Sequence, residues 1–329
     1  MRTLYVSQSG CYLCLHQEQL LIKQGQTVLD QVQIPLLEQI LIFGTSQLTT
    51  QLIRVCLQRN IPILYLSRMG YCYGRLIAIE RGYRQLSRYQ QQLTAIERLM
   101  VARAIVQAKL KNSRVILMRH QRKQPSETIA IAVQNLDHLV SQAGQADGIE
   151  RLLGLEGAGA ACYFPAFGEC LSNRSFVFVA RSRRPPGNPV NAMLSFGYQV
   201  LWNHLLSLIE LQGLDPYHAC LHQGNERHAA LASDLIEEFR AAIVDSLVLY
   251  LVNRGVIDAD QDFVYADGGC YLNDSGRKKY LRAFLNRMEE RLTIDGTQQP
   301  RWDVLMQQVK KFKQFVYDPS HIYQPYQIR

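Results

Sequence analysis

The 329-residue sequence contains no run of about 18 apolar residues, so no membrane span is expected. Its opening, Met1-Arg2-Thr3-Leu4-Tyr5-Val6, lacks the basic-then-apolar layout of a secretory leader. A cytoplasmic protein is expected on both grounds. Paired cysteines are also missing. Eight cysteines are scattered along the chain, and Cys11 and Cys14 form the only C-x-x-C. No second pair completes a tetrahedral zinc site, and an alternating strand would point these two to opposite faces. Reduced, structural cysteines are expected. Acids are scarce in one long stretch, where eleven Lys and Arg residues between Glu80 and Lys123 meet only Glu80 and Glu97.

What is present fits a soluble protein with a large core: 47% of residues are hydrophobic, and the length allows two domains. The net charge of +8 matters for where it is concentrated. Arg81, Arg84, Arg88, Arg98, Arg103, Lys109, Lys111, Arg114, Arg119, Arg122 and Lys123 make a basic stretch suited to neutralising phosphates. A solvated helix face is the bland reading, and the lack of balancing acids favours nucleic acid.

Strand-like runs dominate the first 80 residues: Thr3–Val6, Cys11–Leu15, Leu20–Ile22, Thr27–Leu29, Gln39–Gly44, Ile61–Leu66 and Tyr71–Leu76. Leu48 to Arg59 has helical spacing after a possible Thr45-Ser46 cap. From about Gln85 the period changes. Leu86 to Lys111 reads as one long helix, followed by a Lys/Arg-rich connector to Pro125 and a helix from Ser126 to Leu139. Beyond that the chain reads as mainly helical. The expected fold class is α+β: a small N-terminal β-rich domain (1–84) and a large, mainly α-helical C-terminal domain (85–329). From about 317, Pro319, Pro325 and absent periodicity suggest a loose tail.

Three segments could carry chemistry. Glu156 lies in Leu152-Leu153-Gly154-Leu155-Glu156-Gly157-Ala158-Gly159-Ala160-Ala161, where a buried carboxylate needs a cation or donor, unless it sits exposed at a Gly-rich bend. Asp215-Pro216 breaks a helix and delivers His222 before a polar loop, with His218 and His228 as local competitors. On the helix that follows, Asp234 stands three residues from Glu237 and four from Glu238, which would share a face unless they form a solvated turn paired with Arg240. Carboxylates plus one imidazole, without thiolate, suit Mg²⁺ or Mn²⁺.

Several of these stretches resemble signature segments of one family. They are Gly154 to Phe164, Arg183-Arg184-Pro185-Pro186-Gly187-Asn188-Pro189-Val190-Asn191-Ala192-Met193-Leu194-Ser195-Phe196-Gly197-Tyr198, Gly213 to Tyr217 with Leu221-His222, and Ala232 to Arg240. Ile34-Pro35-Leu36, Ile42-Phe43-Gly44, Leu48-Thr49 and Gly74-Arg75-Leu76 extend the likeness to the N-terminal part. The family is the CRISPR-associated integrase/endonuclease of spacer acquisition, first-numbered among the CRISPR-associated proteins. The resemblance implies a dimerising N-terminal domain and a catalytic helical one. It also implies a homodimer, a small ferredoxin-like companion protein, and double-stranded or branched DNA as substrate, with no membrane partner. It implies metal ligands at Glu156, at His222 and on the acidic helix, where Glu237 is taken as the third ligand, with Asp234 lining the same site and the alternative third ligand. The Asp-Pro-Val-Asn-Ala form of the central motif stands here with Asn188 in place of Asp.

The implied reaction is transesterification, in which the 3′-hydroxyl of a DNA fragment attacks a phosphodiester at a repeat edge. Arg81, Arg84 and Arg88, then Arg181, Arg183 and Arg184, then Arg277, Lys278 and Lys279 are the expected DNA contacts. Rival readings are a structure-specific repair nuclease on branched DNA, a non-catalytic DNA-binding scaffold, and a metal-independent RNase using Arg114 and His120.

Overall fold

Strand β5 (Gln39–Phe43) is buried along its whole length and divides the molecule's two cores. Parallel β1 (Thr3–Val6) and β7 (Ile63–Leu66) flank it, and antiparallel β8 (Cys72–Leu76) closes one edge in the order β1-β5-β7-β8. Side chains alternate across a strand. Ile40 and Ile42 therefore enter a small core with Val6, Leu13, Leu20 and Ile63. Leu41, Phe43, Leu64 and Leu66 enter the large core of the helical region. A strand buried on both faces carries a continuous apolar run, as Ile40-Leu41-Ile42-Phe43 does. The computed structural model describes residues 3–68, 70–78, 83–223, 228–294 and 296–328.

A second sheet covers the small core. It is built from β2 (Tyr12–His16), β3 (Gln19–Gln24), β4 (Thr27–Gln33) and β6 (Gln47–Leu48), in the order β4-β3-β2-β6. Helix α1 (Thr50–Gln58) adds Leu52 and Cys56 to that core, and Thr49 caps it by accepting the Leu52 N–H.

The remainder is mainly helical: α2 (Tyr83–Gln92), α3 (Ala95–Gln121), α4 (Glu127–Gly144), α5 (Ile149–Glu169), α6 (Pro189–Leu211), α7 (Ala230–Ile236), α8 (Ser246–Asn253), α9 (Asp274–Glu289) and α10 (Arg301–Tyr317). Two hairpins interrupt it, β9 (Phe263–Ala266) with β10 (Gly269–Leu272) and β11 (Arg291–Ile294) with β12 (Thr297–Pro300). The architecture is α+β, as expected. Among the described residues no helix is long and apolar enough to cross a membrane.

The expected helix from Leu86 to Lys111 is two helices. Thr94 accepts the Glu97 N–H while Glu97 accepts the Thr94 N–H, a capping box that starts α3 afresh. The basic segment expected as a connector is the last part of α3, because Arg and Lys are good helix formers. Helix α5 lies close to α3 through its small residues: a Cβ on Gly159 would strike Leu110.

The segment after Tyr317, expected to be loose, is docked. Tyr323 is buried and its hydroxyl donates to Glu238. Tyr326 donates its N–H to the same carboxylate (2.6 Å), and Ile328 donates its N–H to Asn112 Oδ1 (2.9 Å). An aperiodic chain is held because buried polar groups of the helical core require its donors. Burial pushes the Glu238 carboxyl up to about 7, against the bonds from Tyr323, Tyr326 and Gln308.

His204 on α6 joins the β-rich region to the helices. It is fully buried, hydrogen-bonded to Tyr5 of β1 and Gln39 of β5, and packed 4.8 Å from the Trp302 ring. Burial drives its pKa down to about 3, so the imidazole is neutral.

Candidate active site

Helix α5 carries Glu156, and α3 brings Lys109 against it. Helix α7 ends at Ile236, so Glu237 leaves on a turn and meets the same lysine, its Oε2 2.6 Å from Lys109 Nζ. Two carboxylates from separate segments thus share one ammonium. Glu237 is buried, and its other oxygen pairs with Arg240 Nη2 at 3.2 Å. Burial alone would raise its pKa, but Arg240 and Lys109 prevail and hold it down to about 2. Glu237 Oε2 still receives no hydrogen bond of good geometry.

His222 lies in the loop before α7, and Asp234 fixes it there. One Asp234 oxygen accepts the N–H groups of Cys220 (2.7 Å) and Leu221 (2.8 Å). The other accepts the N–H of His222 (2.9 Å) and faces its Nδ1 (2.8 Å). An ionised carboxylate only accepts, so Nδ1 carries a proton, and in the neutral ring the lone pair lies on Nε2. Burial disfavours the charged imidazole, but Asp234 and the more distant Glu237 outweigh it and raise the His222 pKa.

The acidic trio does not share one face. Asp234 turns to the loop, Glu237 to Lys109, and Glu238 to the C-terminal segment. Glu237 keeps a backbone bond to Asp234 O (3.2 Å), but each side chain is drawn to a partner in a different segment. Among the described residues no three His, Cys, Asp or Glu side chains converge as a ready-made metal cluster. By donor type, two carboxylates and one imidazole nitrogen suit a divalent ion, and the Lys109 ammonium already sits between the two acids, Glu156 and Glu237.

Past Glu237 the backbone winds into a π-helical segment, Arg240–Asp245. Its i→i+5 bonding puts residues five apart one turn apart, so Arg240 and Asp245 border the same small cavity. Asp245 accepts from Tyr163 (2.9 Å) and Tyr198 (2.5 Å), and Arg240 lies 4.8 Å from the Tyr198 ring centre. Burial pushes Asp245 up to about 6, with the two tyrosines opposing.

Above this floor opens a cleft of about 940 Å³. Arg68, Arg75, Arg181, Arg183, Arg184 and Arg240 line it together with Tyr71, Tyr73, Trp202 and Tyr271. The Arg183 to Tyr198 motif builds one wall. Asn188, where the family form has Asp, caps α6 by accepting the Asn191 N–H (2.9 Å). Asn191 in turn holds Ala180, Arg181 and Ser182 of the preceding loop.

Other expected DNA contacts are employed elsewhere. Arg277 is buried, donating to Leu272 O (2.8 Å) and pairing with Asp274, and Lys279 pairs with buried Asp262 (2.6 Å). Both pin the β9–β10 hairpin and its loop to α9, which leaves Lys278 as the exposed member. The long basic stretch is not one face: Arg103 bonds Ala146 O (2.6 Å), Arg114 pairs with Asp137 (3.3 Å) and Lys109 enters the site. Arg88 is exposed, Arg81 lies outside the described residues, and Arg84 is placed only by its backbone in α2. Reading the sequence alone missed Lys109, Asp245 and Tyr163. For Lys109 the signal was its place four residues after Ile105 and three before Asn112, on the side of α3 that is otherwise buried.

Acids gathered around an ammonium beneath an arginine-lined cleft suit enzymes that act on phosphodiesters. The family model "CRISPR associated protein Cas1" matches residues 4–286. The CRISPR-associated endonuclease Cas1 1 of Chlorobaculum tepidum is 32% identical over 306 residues, covering 89% of this chain and 88% of its own. A Cas4/Cas1 fusion of Geobacter sulfurreducens is 35% identical over 301 residues, 88% of this chain, which spans about half (53%) of the fusion's length. In fold, a CAS1 protein from Thermotoga maritima matches with a TM-score of 0.83 at 24% identity, covering 100% of both chains. A casposase bound to integration product matches at 0.82 and 23%, covering 97% of this chain and 91% of that one. The chain belongs to the Cas1 family of CRISPR-associated endonucleases.

Proposed function

We propose that this protein inserts short DNA fragments into a CRISPR array by transesterification, with Mg²⁺ or Mn²⁺ held by Glu156, His222 and Glu237. The observation that carries the reading is the pairing of Glu156 and Glu237 around a single cation, beside an imidazole whose Nε2 is kept open by Asp234. A bound divalent ion would supply charge stabilisation at the phosphate and polarise the attacking oxygen. Asp234 sets the tautomer and direction of His222. Arg240 keeps Glu237 ionised and in place. Arg181, Arg183 and Arg184 face the cleft and would hold the DNA backbone, while the cleft's aromatic rings offer stacking surfaces for unpaired bases. Attack by a 3′-hydroxyl exchanges one phosphodiester for another, so no nucleotide cofactor is needed. Water in its place gives cleavage.

The working assembly is a homodimer joined to the small ferredoxin-like companion protein, acting on double-stranded and branched DNA. Incubating wild type with that companion, a short duplex with free 3′ ends, a repeat-containing plasmid and Mn²⁺ tests the reading. Joined products are expected from wild type and none from Glu156→Ala; equal joining by both would refute the site. Cutting of forks with no joining under these conditions would favour a repair nuclease instead.

A further inference from the structure

A lysine placed on the buried side of a helix is costly unless it is paired. Lys109 is 12% exposed and meets carboxylates from two other segments at once, Glu156 from α5 and Glu237 from the turn after α7. Without it, among the described residues the two acids would be left with Arg240, which holds the opposite oxygen of Glu237, and with His222 farther off. The ammonium therefore occupies the point where the two acids converge. A divalent ion taking both carboxylates would meet a like charge at contact distance.

We propose that Lys109 is a resident counter-ion that stands in the divalent cation's place, and that the metal enters by displacing its ammonium. This rests on Glu156 and Glu237 being metal ligands. The side chain borders a water-sized cavity of about 20 Å³ whose lining includes Tyr163, Tyr198, the buried carboxylate Asp245 and the cations Arg183 and Arg240, so a displaced ammonium would turn toward Asp245. Lys109 thus keeps the empty site folded and sets a threshold that the metal must exceed.

The test is direct Mn²⁺ binding without DNA, followed by the electron paramagnetic resonance of free Mn²⁺, on wild type and Lys109→Met. The variant should bind about tenfold tighter or better, having lost one competing positive charge. It should also melt at lower temperature in EDTA and gain more from Mn²⁺ than wild type does. Equal affinity in the two proteins overturns the displacement and leaves the metal reading standing. No binding by either overturns both. Should Lys109→Met not fold, Lys109→Gln, which keeps a polar donor without the charge, decides by the same titration: tighter Mn²⁺ binding than wild type is expected, and equal affinity rejects the proposal.

Discussion

Asp234 gathers three consecutive backbone N–H groups and an imidazole, and so uses its oxygens before any ion could reach them. Asp234→Asn should keep the loop near its place but offer only one accepting oxygen and no charge to hold His222. DNA cleavage should fall about 10- to 100-fold, the usual effect of losing a group that orients a ligand, while circular dichroism stays native. Full activity in this variant would show that His222 needs no such support. The sequence made the acid types and the histidine legible, through a carboxylate among small residues and a clustered trio. It hid their division of labour, because three neighbours along the chain are drawn to partners in three distant segments. Lys109 was hidden among ten other basic residues, since charge counting does not tell a solvated lysine from a buried one.

At the scale of elements, two attachments carry the consequences. His204 clamps α6 to β1 and β5 while neutral. Its folded pKa of about 3 lies below that of an unfolded histidine, so the unfolded chain binds the extra proton. The contribution is complete above the unfolded value, near pH 6.5, and is lost as pH falls toward 3, by up to about 1.4 kcal/mol per pH unit. Denaturant titrations across that window should show the slope in wild type and a shallower one in His204→Gln. The second attachment is the docked C-terminal segment. Tyr323→Phe removes a donor from the buried Glu238 and should cost about 1–3 kcal/mol, read as a lower melting temperature; an unchanged melt would mean that the segment is not held through this bond. Helical periodicity could not foresee either the docking or the restart of α3. The former is a matter of distant partners, the latter of one local Thr-x-x-Glu signature lying inside an otherwise continuous pattern.

Across the whole molecule, positive charge is less abundant at the cleft than the sequence suggests and better placed. Of the expected DNA contacts, Arg181, Arg183 and Arg184 line it, whereas Arg277 and Lys279 do not and are engaged in ion pairs. Replacing Arg183 and Arg184 by Ala should weaken binding to all DNA sequences alike and reduce the slope of log affinity against log salt by about 1 to 2. Fluorescence anisotropy over a salt series measures it, and an unaltered slope would place the DNA elsewhere. The broad layout, strands first and helices after, could be read from the change of period near residue 80, because half-buried strands and amphipathic helices write different repeats.

The alternation along β5 has a consequence for building chimaeras. Odd and even positions of one strand answer to different halves of the protein, Leu41 and Phe43 to the helices, Ile40 and Ile42 to the N-terminal sheets. A donor segment spanning β1 to β8 brings its own partners for the even positions. Its odd positions must suit the recipient's helices. Exchange between relatives should therefore succeed or fail on a few side chains that no cut between the two halves can separate.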